Sequence, residues 1–257
     1  MLIDSHCHLT YDPLAGQTES VLANMAAAGV SHAISVGTSV SDAGAALALA
    51  TQHPQLFATA GIHPHEAGKA APGWVEALRR AAGAARVVAI GETRLDYHYD
   101  FAPRDAQRTA FEGQLELAAQ CGKPVIIHCR EAHGDVMAVL RNFGGVGRVV
   151  FHCFSGTAAE AREILDAGYW ISLTGVVTFR NAESLRTVAR DLPGDRLMVE
   201  TDSPYLSPEP VRNRKPNEPA TVAHTARRLA EVRGVAYEQF VAEARANTIR
   251  FFGLPID

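Results

Sequence analysis

A single-domain α/β fold, the (β/α)8 barrel, is predicted by three features of this sequence. Short β-branched runs alternate with Ala/Leu-rich stretches of helical period, as in parallel βαβ units. Eight such units occupy 257 residues, the usual size of that barrel. Six residues of metal-ligand type follow five of the apolar runs: His6 and His8 after LID, Glu92 after VVAIG, His128 after VII, His152 after VVF, and Asp202 closing LMVET. Side chains at the C-terminal ends of successive strands converge only if those strands share one closed parallel sheet.

In chain order the strand candidates are Leu2–Ser5, His32–Val36, Leu56–Ile62, Arg86–Glu92, Pro124–His128, Arg148–His152, Tyr169–Leu173 and Arg196–Asp202. Helical patterns fill the spaces at Glu19–Ala28, Ser41–His53, Gly73–Ala82, Arg104–Gln120, Asp135–Asn142, Ala158–Ala167 and Glu183–Asp191. Two more, Pro219–Arg233 and Tyr237–Phe252, follow the eighth strand. Gly29, Gly122 and Gly168 stand where helices should stop, because glycine adopts the left-handed conformation that ends them. The Pro-rich stretch Ser203–Pro219 reads as a long loop on the face where barrels carry function. No linker or change of composition marks a second domain, so residues 1–257 are read as one.

An apolar content of 47% is enough for a sizeable core. The net charge of −4 and pI near 6.3 exclude a global basic field for nucleic acid, so phosphate affinity must come from metals or a local cationic cluster. No run of about 18 apolar residues is present, and the chain starts directly into a strand. The expectation is a cytoplasmic protein with no membrane association. Cys7, Cys129 and Cys153 each follow a candidate ligand, and strand alternation turns them away from it. Without a C-x-x-C spacing they read as small core thiols rather than zinc ligands or disulfides.

His6-Cys7-His8 puts two imidazoles on one face of a strand end, where they can share a cation. Glu92 adds a carboxylate whose two oxygens can bridge two cations. His128 and His152 offer neutral nitrogens, which suit Zn, Mn, Fe, Co or Ni better than Mg. Asp202 can bind a metal while holding or deprotonating its water. Burying several ionisable groups without a cation costs several kcal/mol each. Six such residues at strand ends therefore argue for a metal.

The blocks DSHCHL, IGETRLDY, PVIIHCREA, FHCFSG, LTGVVTFRNA, ETDSPYL and NTIRFFG together resemble the TatD family of metal-dependent deoxyribonucleases. They run from residue 1 to residue 253. The resemblance implies a TIM-barrel hydrolase of the amidohydrolase superfamily, with two divalent metal ions (Mg, Mn or Zn). His6, His8 and Asp202 would hold one ion, Glu92 would bridge to the second, and His128 and His152 would complete that site. The implied activity is hydrolysis of DNA, as a 3′→5′ exonuclease on single strands, by water that the metal activates. Asp202 is the general-base candidate. His63, in Gly61-Ile62-His63-Pro64-His65, matches a family position near the scissile phosphate, where it would donate a proton or position the phosphate, with a purely structural role as the alternative. By strand alternation, not by the resemblance, Glu200 sits two before Asp202 on the same inward face one layer deeper, where it would orient a histidine ligand, contribute to an extra metal site, or simply be a hydrogen-bonded buried carboxylate.

Two positions depart from the family pattern. Thr93-Arg94 replaces the middle of G-E-I-G-L-D, and Arg94 reads equally as a phosphate contact or a solvated side chain. The late R-G-K block is here Arg212-Asn213-Arg214-Lys215, without the glycine. Arg130, Arg212, Arg214 and Lys215 are the candidates for substrate phosphate, with a solvated loop as the alternative. Tyr97, Phe154, Phe179 and Tyr205 are candidates for base stacking or for ordinary packing. The expected partner is single-stranded DNA and the expected state a monomer. The competing readings are a hydrolase of a small amide, lactone or phosphoester, and a non-catalytic repair or secretion partner.

Overall fold

The computed structural model describes residues 1–98 and 101–256, with every side chain in that range except that of Arg94. The family departure at Arg94 therefore lies outside the described residues. Strands and helices alternate along the chain as β1 (Leu2–Cys7), α1 (Thr18–Ala27), β2 (Val30–Ser35), α2 (Val40–Gln52) and β3 (Leu56–Ala60). They continue as α3 (Pro64–Ala67), α4 (Trp74–Ala82), β4 (Val87–Asp96), α5 (Arg104–Cys121), β5 (Val125–Arg130), α6 (His133–Asn142) and β6 (Val149–Phe151). The series ends with α7 (Ala158–Asp166), β7 (Trp170–Leu173), α8 (Glu183–Asp191), β8 (Leu197–Val199), α9 (Val222–Arg233) and α10 (Tyr237–Phe252). The eight strands take the order β1 to β8 in one sheet, and every strand pairing described is parallel. Sequential order with at least one helix between every two successive strands is the (β/α)8 fold class that the sequence predicts.

The contacts gather into two compact units, Met1–Ser35 with Cys153–Asp257 and Val36–His152. In the first, β1 pairs with β2, β7 with β8, and Cys7 of β1 forms a parallel bridge with Ser203 beyond β8. Leu2, Ile3, Ile34, Met198 and Phe251 are buried here. Each such side chain contributes about 1.5–3 kcal/mol through removal from water. Between the pairs Asp4↔Ala33 and Cys7↔Ser35, β1 advances three residues while β2 advances two. That bulge falls at Ser5-His6 and re-aims the side chains beside it.

In the second unit β3, β4, β5 and β6 pair in order around buried Phe57, Ile90, Phe111 and Ile127. Here β4 carries the extra residue: Ile90↔Val125 is followed by Thr93↔Ile127, three steps against two. Glu92 sits in that bulge. The close approach of β3 and β4 depends on glycine, because a Cβ on Gly61 would lie 2.4 Å from the Gly91 carbonyl carbon. Thr59 Oγ1 donates to the carbonyl of Gly91, pinning the same spot.

The predicted helices all form, and Gly29, Gly122 and Gly168 take φ of 75°, 64° and 79° as helix stops require. Two expectations need correction, and one short helix is added. Strand β4 runs on to Asp96, so Glu92 lies within a strand rather than at its end. Strand β8 stops at Val199, and Asp202 has φ of 55°, so the alternation that aligned Glu200 with Asp202 does not reach them. A short helix, α3, follows β3 directly, because Pro64 presets its first turn and the His63 side chain caps it. Of the candidate core thiols, Cys7 is buried and Cys129 and Cys153 are half-buried.

Candidate metal centre

The candidate ligand residues form one cluster in each unit. In the first unit, the β1 bulge and the loop after β8 are joined by backbone bonds. Asp202 N donates to His6 O at 2.9 Å, and His8 N donates to Ser203 O at 2.7 Å. These bonds bring the imidazoles and the carboxylate together. His6 Nε2 and His8 Nε2 are 3.2 Å apart, and they lie 3.7 and 3.3 Å from Asp202 Oδ1. Tyr11 stacks on the His8 ring at 4.8 Å and limits its rotation.

Asp4 lies beneath this cluster and is fully buried. Its carboxylate accepts from Thr201 Oγ1 at 2.5 Å, Thr201 N at 2.9 Å and His6 N at 3.3 Å. Burial pushes the Asp4 carboxyl up to about 8, against the lowering effect of the Thr201 bonds. It fastens the loop that carries Asp202 to the strand that carries His6.

In the second unit a single oxygen, Glu92 Oε1, faces three imidazoles. His128 Nδ1 is 2.8 Å away, His152 Nε2 3.0 Å and His63 Nε2 3.5 Å. His128 Nδ1 and His152 Nε2 are 2.9 Å from each other. Burial alone would raise the Glu92 carboxyl, but the charges of His152 and His63 and the hydrogen bonds from His128 and His152 carry it well below the usual range. His63, Glu92 and His128 form a group able to hold one ion.

Donor atoms about 2.1 Å from a tetrahedral or octahedral cation sit about 3.0–3.4 Å from one another. The spacing in both clusters approximates this, and each mixes imidazole nitrogen with carboxylate oxygen. The residues therefore fit a divalent metal, of the borderline kind that such donors favour.

Strain marks the same loops. Among the described residues, the non-glycine positions in the left-handed region are Glu131, Cys153, Asp202 and Leu206, at φ of 57°, 48°, 55° and 56°. Each follows the C-terminal end of β5, β6 or β8. Such backbone costs on the order of 1–3 kcal/mol and tends to accumulate at functional sites.

The whole chain from residue 3 to residue 253 matches the family model described as TatD related DNase. The chain belongs to the TatD-related DNase family. It is 40% identical over 259 residues to an uncharacterized metal-dependent hydrolase, YcfH, of Escherichia coli K12, covering 98% of this chain and 95% of that one. It is 39% identical to the 3′-5′ ssDNA/RNA exonuclease TatD of Enterobacter lignolyticus, covering 98% and 99%. The crystal structure of YJJV, a TatD homologue from E. coli K12, aligns with a TM-score of 0.93 at 32% identity, covering 99% of this chain and 98% of that one. The protein is an enzyme, a metal-dependent hydrolase of ester bonds. Among the described residues no helix is long and apolar enough to cross a membrane.

The remaining predicted site residues divide sharply. Glu200 is buried and accepts from the amide of Cys153, and among the described residues it belongs to none of the metal-competent groups. Arg212 and Lys215 line an open pocket, whereas Arg214 is ion-paired to Glu218 at 3.1 Å. Arg130 is exposed at the end of β5. Of the aromatics, Phe154 is buried, and Tyr97 donates to Asp135 at 2.7 Å beneath the Arg104 guanidinium.

Several positioning residues escaped the sequence reading. Gln114 on α5 is fully buried; its Oε1 accepts from Ile62 N at 2.8 Å and its Nε2 donates to Thr93 Oγ1 at 2.8 Å. It thereby ties the residue before His63 to the residue after Glu92. Gln107 does the same for Asp96, and Asp96 in turn holds His65 Nε2 at 2.7 Å. The one available signal was Asp96, inside the IGETRLDY block yet without an assigned task.

Proposed function

We propose that this enzyme is a nuclease that removes nucleotides from the 3′ end of single-stranded DNA, using two divalent ions of Mg, Mn or Zn. One ion belongs to His6, His8 and Asp202, the other to Glu92, His128 and His152. The observation that carries the reading is the pair of convergent nitrogen and oxygen donor sets in a chain that matches a DNase family along its length. The exonuclease name of a relative at 39% identity supports the direction and the strand preference.

When bound, the ions supply Lewis acidity, lowering the pKa of water and neutralising charge on the phosphoryl oxygens. The protein's own groups do the rest. Asp202, with its side chain only 14% exposed, takes the proton from the attacking water. His63 Nδ1 is occupied as acceptor from His65 N at 3.2 Å, which turns its Nε2 towards Glu92 and the reacting phosphate. In that position His63 orients the phosphate or protonates the leaving oxygen.

The test is the ladder of products from end-labelled single-stranded DNA with Mg, Mn or Zn, and again after chelation. Mononucleotides released from the 3′ end in a metal-dependent way are expected. Intact oligonucleotides beside rapid hydrolysis of a small chromogenic ester would overturn the proposal and favour a small-molecule hydrolase.

A further inference from the structure

The loops after β7 and β8 enclose an open pocket of about 550 Å³ lined by Phe179, Tyr205, Arg212, Asn213 and Lys215, with the chain from Pro204 to Ser207 as its wall. That wall begins two residues past Asp202 in the chain. The volume is within the range of small-ligand sites, about 300–1,000 Å³. Among the described residues no acidic side chain lines the pocket, so Arg212 and Lys215 set its charge in a protein of net charge −4.

Its two walls are built rather than loose. The buried Arg186 donates to the carbonyls of Val177, Phe179 and Arg180 at 3.1, 2.7 and 3.2 Å, which fixes the loop under Phe179. The buried Asn217 donates to Tyr205 O at 2.6 Å and fixes the opposite wall. Glu209 N donates to Thr178 Oγ1 at 2.8 Å, joining the two loops. On this frame the Arg212 guanidinium lies 3.4 Å over the Phe179 ring, and Tyr205 is 53% exposed. An arginine stacked by its face keeps its in-plane N–H groups for an anion. Arg214, turned to Glu218, takes no part.

We propose that this pocket is a nucleotide subsite: one unpaired base lies against Tyr205 and the Phe179–Arg212 stack, with its phosphate on Arg212 and Lys215. It rests on the nuclease reading and deepens it, because only a base freed from its partner can enter. Single-strand preference then comes from this pocket in addition to the metal clusters.

The experiment is a cycle between protein and substrate. An abasic residue is placed in turn at each position near the 3′ end of a single-stranded oligonucleotide, and KM is measured with Mn. At one position the wild-type KM rises about tenfold, the loss expected for one base-aromatic stack. Tyr205→Ala abolishes that sensitivity, and Tyr205→Phe restores it. No sensitive position, or equal sensitivity in wild type and Tyr205→Ala, overturns the subsite while the nuclease reading stands. If wild type leaves every oligonucleotide whole, the nuclease reading itself has failed. Titration of deoxythymidine 5′-monophosphate into metal-free protein then decides the pocket: saturable binding lost in both Tyr205→Ala and Arg212→Ala supports it, and no binding overturns it.

Discussion

Replacing Gly61 with alanine should disable the Glu92 cluster without touching a ligand. The added Cβ would meet the Gly91 backbone at 2.4 Å from C, 2.7 Å from Cα and 2.8 Å from O. Carbon atoms prefer about 3.5–4.0 Å, so one backbone must move by about 1 Å. Gly91 cannot retreat freely, since the Cβ-sized space beside it already meets the Ile126 carbonyl at 2.6 Å. Overpacking of this kind costs about 1–3 kcal/mol of stability. The displacement passes directly to Glu92, one residue on, and to His63, two residues on. A misplacement of about 1 Å at reacting groups costs about 100-fold in rate. The assay is kcat/KM on labelled single-stranded DNA at saturating Mn, beside urea unfolding and calorimetric metal titration. Gly44→Ala is the control: it lies in α2 with nothing within 4 Å of the new Cβ, and it should gain up to about 1 kcal/mol. A Gly61→Ala enzyme within about threefold of wild-type kcat/KM and as stable as that control would refute the reasoning.

Two further outcomes follow from groups that hold the clusters. Gln114→Leu strips the partners from Ile62 N and Ile62 O, both buried, and should destabilise the protein by about 2–4 kcal/mol in urea unfolding; a loss below about 1 kcal/mol would show that Gln114 fills space rather than satisfying that strand end. The Asp4 carboxyl titrates near 8 in the fold against an ordinary 3.8, so the folded state binds this proton more tightly than the unfolded one. Its contribution is complete below about pH 4, declines as pH rises and is lost through about pH 8. In chelator, Asp4→Asn should therefore gain on wild type from pH 4 up to about pH 8 and level off above it, and parallel stability curves would contradict the assignment.

Much of the architecture was legible because it rests on periodicity. Alternating apolar runs and Ala/Leu helices mark βαβ units, since burial on two faces and on one stripe leave different spacings. His6, His8 and Asp202 were legible as ligand types near strand ends, and their convergence follows from parallel order. The phosphate candidates were legible only as a cationic block. Arg212, Arg214 and Lys215 look equivalent in a string, yet Arg214 faces Glu218 while Arg212 lies on Phe179. That separation depends on the path of a loop, which local composition does not encode. Gln107 and Gln114 were invisible for a related reason, because glutamine on a helix normally faces water and its burial is a property of the packed neighbours.

By itself, then, the amino-acid order determined the fold class, the ligand types and the family, all of which depend on residue identity and short-range spacing. The tertiary structure decided which atoms meet. A one-residue bulge places Glu92 inside β4 with its oxygen among three imidazoles. Another at Ser5-His6 and the bonds from the Asp202 loop bring His6 and His8 to their carboxylate. A bulge is set by the register of a neighbouring strand, and a loop by the partners that satisfy its backbone, so neither is written in its own residues alone.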